Sequence, residues 1–229
     1  MAIEKSWLRR RIEGALRNGF LRAYETVKVD PDKFRIQLRA AYGLPIATYD
    51  GVFSVPVEQL DNIALDIIHA SQKLGAIEGA GLGLGGIFTI LPDLGILAGI
   101  TVRTIQKLSL LYGFQFSTEQ EESELWVAAA TAAGVDVGRE LMERQVVRRF
   151  VPRVINAIAA QAGKEVAEKI AGRIVPVLSS AVGATLNYYF LRAWGERAMI
   201  HFRARHMIVR RQGSNTIEAE PLSSLPPGP

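Results

Sequence analysis

Between Glu78 and Asp93 the chain runs for 14 residues without a charge, and the first eight of these, Gly79 to Gly86, hold five glycines. No other stretch limits the possible folds so strongly. Glycine brings no side chain to a core and costs up to ~1 kcal/mol of helix stability against alanine, so such a run must gain from close backbone contact or mark a local break. Gly81-x-Gly83-x-x-Gly86 also spells a dinucleotide fingerprint. Its context is wrong for one: the preceding pattern is helical where a strand is required, and Asp93 comes too early to serve as the ribose acid. Helix packing through Gly81, Gly83 and Gly86 is the expected use. Pro92 then predicts a turn, with Asp93 capping a new apolar helix that ends at Tyr112–Gly113.

The flanking patterns are helical throughout. Leu8, Ile12, Leu16, Phe20, Tyr24 and Val27 recur at spacings of three or four, which predicts an amphipathic helix over residues 6–28 with arginines between the apolar positions. Asp30-Pro31 opens a short helix that stops at Gly43, residues 44–55 read as loop, and Pro56 restarts a helix that leads into the glycine run. Thr118-x-x-Glu121 is a capping box; the helix it opens breaks near Gly134, and a further one continues from Gly138 to a break at Gly163. A second uncharged segment, Ile174 to Leu191, spans 18 residues and holds Pro176, Gly183 and Asn187. Ile90, Pro92, Leu94, Gly99 and Thr101 recur in it at a constant offset of 84, a faint echo that would pair two Pro-started apolar helices. The predicted fold class is all-α, a multi-helix bundle with two central Gly-rich hydrophobic helices. One domain covers residues 1–211, and the Ser/Pro-rich residues 212–229 read as a disordered tail.

Composition narrows the setting. Hydrophobic residues make up 48% of the 229, at the apolar end for a soluble chain, and cysteine is absent, which excludes disulfides and thiolate metal sites. The net charge of +4 favours an anionic partner. Three basic groups could meet a lipid surface: Arg9, Arg10 and Arg11; Arg144, Arg148 and Arg149; and Arg203 with Arg205. Nucleic acid is not the expected partner, since only Trp194 and Phe202 stand near arginines to stack on bases. The apolar segments are short or polar for bilayer spans, so they read as core helices first and as membrane segments second.

Signs of chemistry are few. His201 and His206 lie five apart, off the spacing that puts two ligands on one helix face, and no Gly-x-Ser-x-Gly frame occurs. No metal, cofactor or catalytic residue is expected. Asp93 is the carboxylate that stands out, because a charge in an apolar run must be capped, paired or protonated. An apolar cavity anchored by Asp93 with Asn187, Arg103 or Tyr112 nearby is its functional reading.

The glycine run, Leu91-Pro92-Asp93, Leu111-Tyr112-Gly113 and Val182-Gly183-Ala184-x-x-Asn187 together resemble the EcsC family of bacterial proteins, over roughly residues 56–206. The resemblance implies a helical protein associated with an ABC-transporter gene cluster, without an established general activity. It matches Gly81, Gly83, Gly86, Pro92, Asp93, Tyr112, Gly113, Gly183 and Asn187. The expected function is a non-enzymatic accessory protein on the cytoplasmic face of a membrane, binding lipid or a transporter. The alternative is a soluble helical protein that binds or processes an acyl ligand at Asp93 and Asn187.

Overall fold

The computed structural model describes residues 2–82, 87–136, 147–171 and 180–218. Among these residues seven α-helices follow in order: α1 (Ala2–Thr26), α2 (Pro31–Tyr42), α3 (Val57–Leu82), α4 (Ile87–Leu111), α5 (Glu119–Ala132), α6 (Val147–Ala171) and α7 (Ser180–Glu218). A 3-10 turn, Tyr49–Ser54, interrupts the stretch expected to be loop. No strand occurs among the described residues, and the molecule is an all-α bundle.

Local chemistry sets several of these boundaries. Asp30 caps α2 by accepting the Lys33 N–H at 3.1 Å, Pro31 fills the first turn, and Gly43 ends the helix in the left-handed region at φ 64°. Thr118 and Glu121 form both halves of the predicted capping box. Gly113 and Gly134, at φ 92° and 77°, turn the chain out of α4 and α5.

Long-range packing sets the others. Helix α4 contains Pro92 and Asp93 as its sixth and seventh residues, so Asp93 does not cap a new helix and the predicted turn is replaced by continuous helix. Proline removes one i→i−4 bond and can kink a helix, but it does not oblige the chain to turn. Pro152 sits the same way inside α6, next to buried Phe150, Val151, Val154 and Ile155. The expected break at Gly163 is also absent: α6 runs through it to Ala171, because Gly163 lies against Glu13, where an added Cβ would fall 3.3 Å from the Glu13 Cα. Helix α7 runs on past Gly213 to Glu218, beyond the predicted end near Arg211.

The pairings fix the directions. Asp61 meets Arg203, Ile68 meets Gly195 and Gly75 meets Asn187, so α3 and α7 run antiparallel along their length. Ser71 meets Thr104 and Asp61 meets Tyr112, which sets α4 antiparallel to α3 as well. Gly19 touches Gly95, and further along Gln106 binds the backbone at Val27 and Val29, so α1 runs parallel to α4. Leu60, Ile68, Leu108, Ile158 and Phe202 are among the fully buried side chains of one core, with Trp194 stacked on Phe20 at 5.8 Å.

Candidate functional site

These directions give the bundle two unlike ends. At the first, α3 finishes and α4 and α7 begin. Between Lys73 and Arg103 the sequence carries only two charges, Glu78 and Asp93, and between Arg173 and Arg192 it carries none. Helical pairing brings the described parts of these two apolar stretches to the same end. Leu74 and Ile77 on α3, Ile96 on α4, and Tyr188 and Tyr189 on α7 are exposed there, Ile77 by 71%. Three helices thus each expose large apolar side chains in this part of the bundle. Because α1 is parallel to α4, its first turns point to this end too, with Trp7 exposed and the Arg11 guanidinium 4.9 Å from the centre of its ring. Arg9 is tied to Glu13 at 2.6 Å; Arg10 and Arg11 are exposed.

The second end carries a polar seam that sequence spacing could not reveal. The Tyr112 hydroxyl donates to Asp61 Oδ1 at 2.7 Å, and Arg203 Nε donates to Asp61 Oδ2 at 2.8 Å. Burial first, and then the bond to Asp61, raise the Tyr112 pKa, so it is a neutral donor. His206 is fully buried, stacked on Phe53 at 4.9 Å, with Nδ1 3.0 Å from the Tyr112 carbonyl. An acceptor there makes Nδ1 the protonated nitrogen, while the buried Nε2 has no hydrogen-bond partner among the described residues. Burial lowers the His206 pKa, and Arg210 lowers it further.

The residues singled out in sequence are scattered by this arrangement. Asn187 donates to the Gly75 carbonyl at 3.2 Å and is 5% exposed, so it helps hold α7 to α3. Tyr112 belongs to the seam with Asp61. Asp93 and Tyr112 lie at opposite ends of the α4 axis, about 28 Å apart at ~1.5 Å per residue, and Arg103 is exposed between them. Tyr112 and Asp93 therefore do not share one site. Arg205 is paired with Glu124 and lies over the Phe114 ring at 4.4 Å, and Arg203 is paired with Asp61, so both arginines tie helices together. Arg148 and Arg149 fall in α6 with undescribed side chains; Arg144, Gly83 and Gly86 lie outside the described residues, as do Ile174, Pro176 and Leu178 of the internal echo. Gly81 and Gly183 fall in α3 and α7, but their surroundings, like the side chains of Pro92 and Asp93, are also outside what is described. Close glycine packing does occur, at positions the sequence did not single out: Gly19, Gly75, Gly163 and Gly195.

No group of three or more potential metal ligands occurs among the described residues. A cleft of about 460 Å³ lies near the second end, lined by Tyr24, Lys28, Gln106, Glu122 and Trp126 among others. It contains neither Asn187 nor Arg103.

An all-α bundle that brings charge-poor helix segments to one end and a buried polar seam to the other is thus the class defined by the fold. The chain belongs to the EcsC protein family, whose model matches residues 26–207. The match starts earlier than the sequence resemblance, taking in α2 and leaving most of the basic α1 outside. Protein EcsC of Bacillus subtilis (strain 168) is 27% identical over 167 residues, 71% of each chain. The uncharacterized protein YdbA of the same organism is 24% identical over 172 residues, 70% of this chain and 63% of that protein. No solved structure matches.

Proposed function

We propose that the protein is a non-enzymatic accessory protein that sits peripherally on the cytoplasmic face of an anionic membrane, with its apolar end against the lipid. One observation carries this reading: antiparallel α3 and α7, with α1 parallel to α4, gather the apolar segments, exposed Leu74, Ile77, Tyr188 and Tyr189, and the Trp7–Arg11 segment at one end. Tyrosine and tryptophan suit the headgroup layer, and arginines beside them suit anionic lipid. Only one described helix, Leu94–Leu111, is long and apolar enough to cross a bilayer, and 67% of it is buried in the bundle, which favours contact over spanning. In the acyl-ligand alternative, Asn187 would act while also donating to the Gly75 carbonyl. On this reading the outward-facing second end is left free for a membrane transporter.

Co-sedimentation with vesicles tests the proposal. The protein should pellet with vesicles containing phosphatidylglycerol and less with neutral phosphatidylcholine. Ile77→Glu combined with Tyr188→Glu should reduce the bound fraction several-fold, because each buried apolar side chain contributes about 1.5–3 kcal/mol. Equal binding by the wild type and the double variant, with both folded by circular dichroism, would sink it.

A further inference from the structure

The cleft near the second end is built from the close of α1, the connection to α2, the middle of α4 and the start of α5. Its volume, about 460 Å³, lies in the range of small-molecule sites. Three tertiary contacts hold its walls in place. Buried Gln106 accepts the Val29 N–H and donates to the Val27 carbonyl, both at 2.9 Å. The Tyr49 hydroxyl donates to the Pro31 carbonyl at 2.6 Å, and the capping box fixes the entry to α5. A wall pinned from three directions is preorganised, which lowers the ordering cost of binding.

The lining has a definite chemistry. Tyr24 packs against Trp126 with ring centroids 5.6 Å apart, and Phe116 stands nearby, so one side is aromatic. The charged groups are Asp30, Glu122 and Lys28, two carboxylates against one ammonium in a chain whose net charge is +4. Asp30 is engaged in capping α2. The Glu122 carboxylate makes no hydrogen bond or ion pair among the described residues, and burial foremost raises its pKa, against the pull of Lys28. An anion would be unwelcome. The leading α5 amides are served by Thr118, and Glu119, Glu121 and Glu122 crowd its first turn.

We propose that this cleft binds a small organic cation, its ammonium group against the Glu122 carboxylate and its apolar body against Tyr24 and Trp126. The attraction combines a partly desolvated ion pair with cation–π contact, the pairing used by aromatic ammonium sites. Lys28, exposed at the rim, is the competing cation. The cleft lies at the level of Gln106 on α4, about 20 Å from Asp93 by helix rise, so a protein docked on lipid by its apolar end would take this ligand from water. The proposal stands independently of membrane docking.

Choline is the probe. Titration of the full chain followed by calorimetry and tryptophan fluorescence should show saturable binding. Glu122→Gln should weaken it about tenfold or more, equivalent to ~1.4 kcal/mol, and Lys28→Gln should tighten it. The neutral isostere 3,3-dimethylbutan-1-ol should bind more weakly than choline, and acetate should not bind. Thermal melts establish that each variant is folded. Absence of saturable choline binding, equal binding of the neutral isostere, or a folded Glu122→Gln variant with unchanged affinity would overturn the assignment.

Discussion

At the scale of single residues, glycine has opposite effects along one helix. A Cβ on Gly19 would fall 2.8 Å from the Gly95 Cα and 3.3 Å from the Leu94 carbonyl oxygen, contacts with backbone that cannot swing aside. A Cβ on Gly14 or Gly95 meets nothing within 4 Å. Gly19→Ala should therefore destabilise by about 1–3 kcal/mol as α1 and α4 are forced apart, while Gly14→Ala should stabilise by up to ~1 kcal/mol through helix propensity. Urea denaturation of the two variants checks the sign of each. Sequence spacing led to the dense Gly79–Gly86 run as the packing motif and passed over Gly19, because composition shows where glycines cluster and not which of them faces a neighbour.

At the scale of elements, the seam between α3, α4 and α7 is the structural tie at the second end. Asp61→Ala removes the acceptor of both Tyr112 and Arg203, and should cost about 2 kcal/mol, mainly from the buried tyrosine donor, since the half-exposed arginine pair contributes little. His206 gives the same region a pH response. Its pKa is lowered by burial, while in the unfolded chain it takes a proton near about pH 6.5. Below that pH the unfolded state binds a proton that the folded state refuses, so stability falls as pH drops from about 6.5. Denaturation midpoints at pH 7.5 and 5.5 should show the loss, and His206→Phe, which keeps the stack on Phe53, should lessen it. His201, lowered mainly by burial, retains part of the slope. The ends of α2 and the start of α5 were legible in sequence because their caps are written within a few residues. The seam was not, because Asp61 and Arg203 stand 142 residues apart.

At the scale of the whole molecule, the two ends should face different media. The absence of cysteine permits single labelling sites. With an environment-sensitive dye, Ile77→Cys should shift to the blue on anionic vesicles, while Ile36→Cys on α2, exposed by 60% at the other end, should not. Shifts of equal size at both positions would contradict the orientation. The sequence by itself determined the all-α class, the family, the uncharged segments, α2 with its caps and the capping box of α5. Each of these depends on residue type and short spacing, which act within a turn or two of the chain. Only the tertiary structure decided that Pro92 and Gly163 continue helices, that Arg203 and Arg205 tie helices together, and that Asn187 holds a backbone carbonyl. It also decided that the apolar segments share one end. At Gly163, Asn187, Arg203 and Arg205 the outcome depends on which distant side chain or backbone arrives alongside, and contact with that neighbour outweighs local preferences of about 1 kcal/mol.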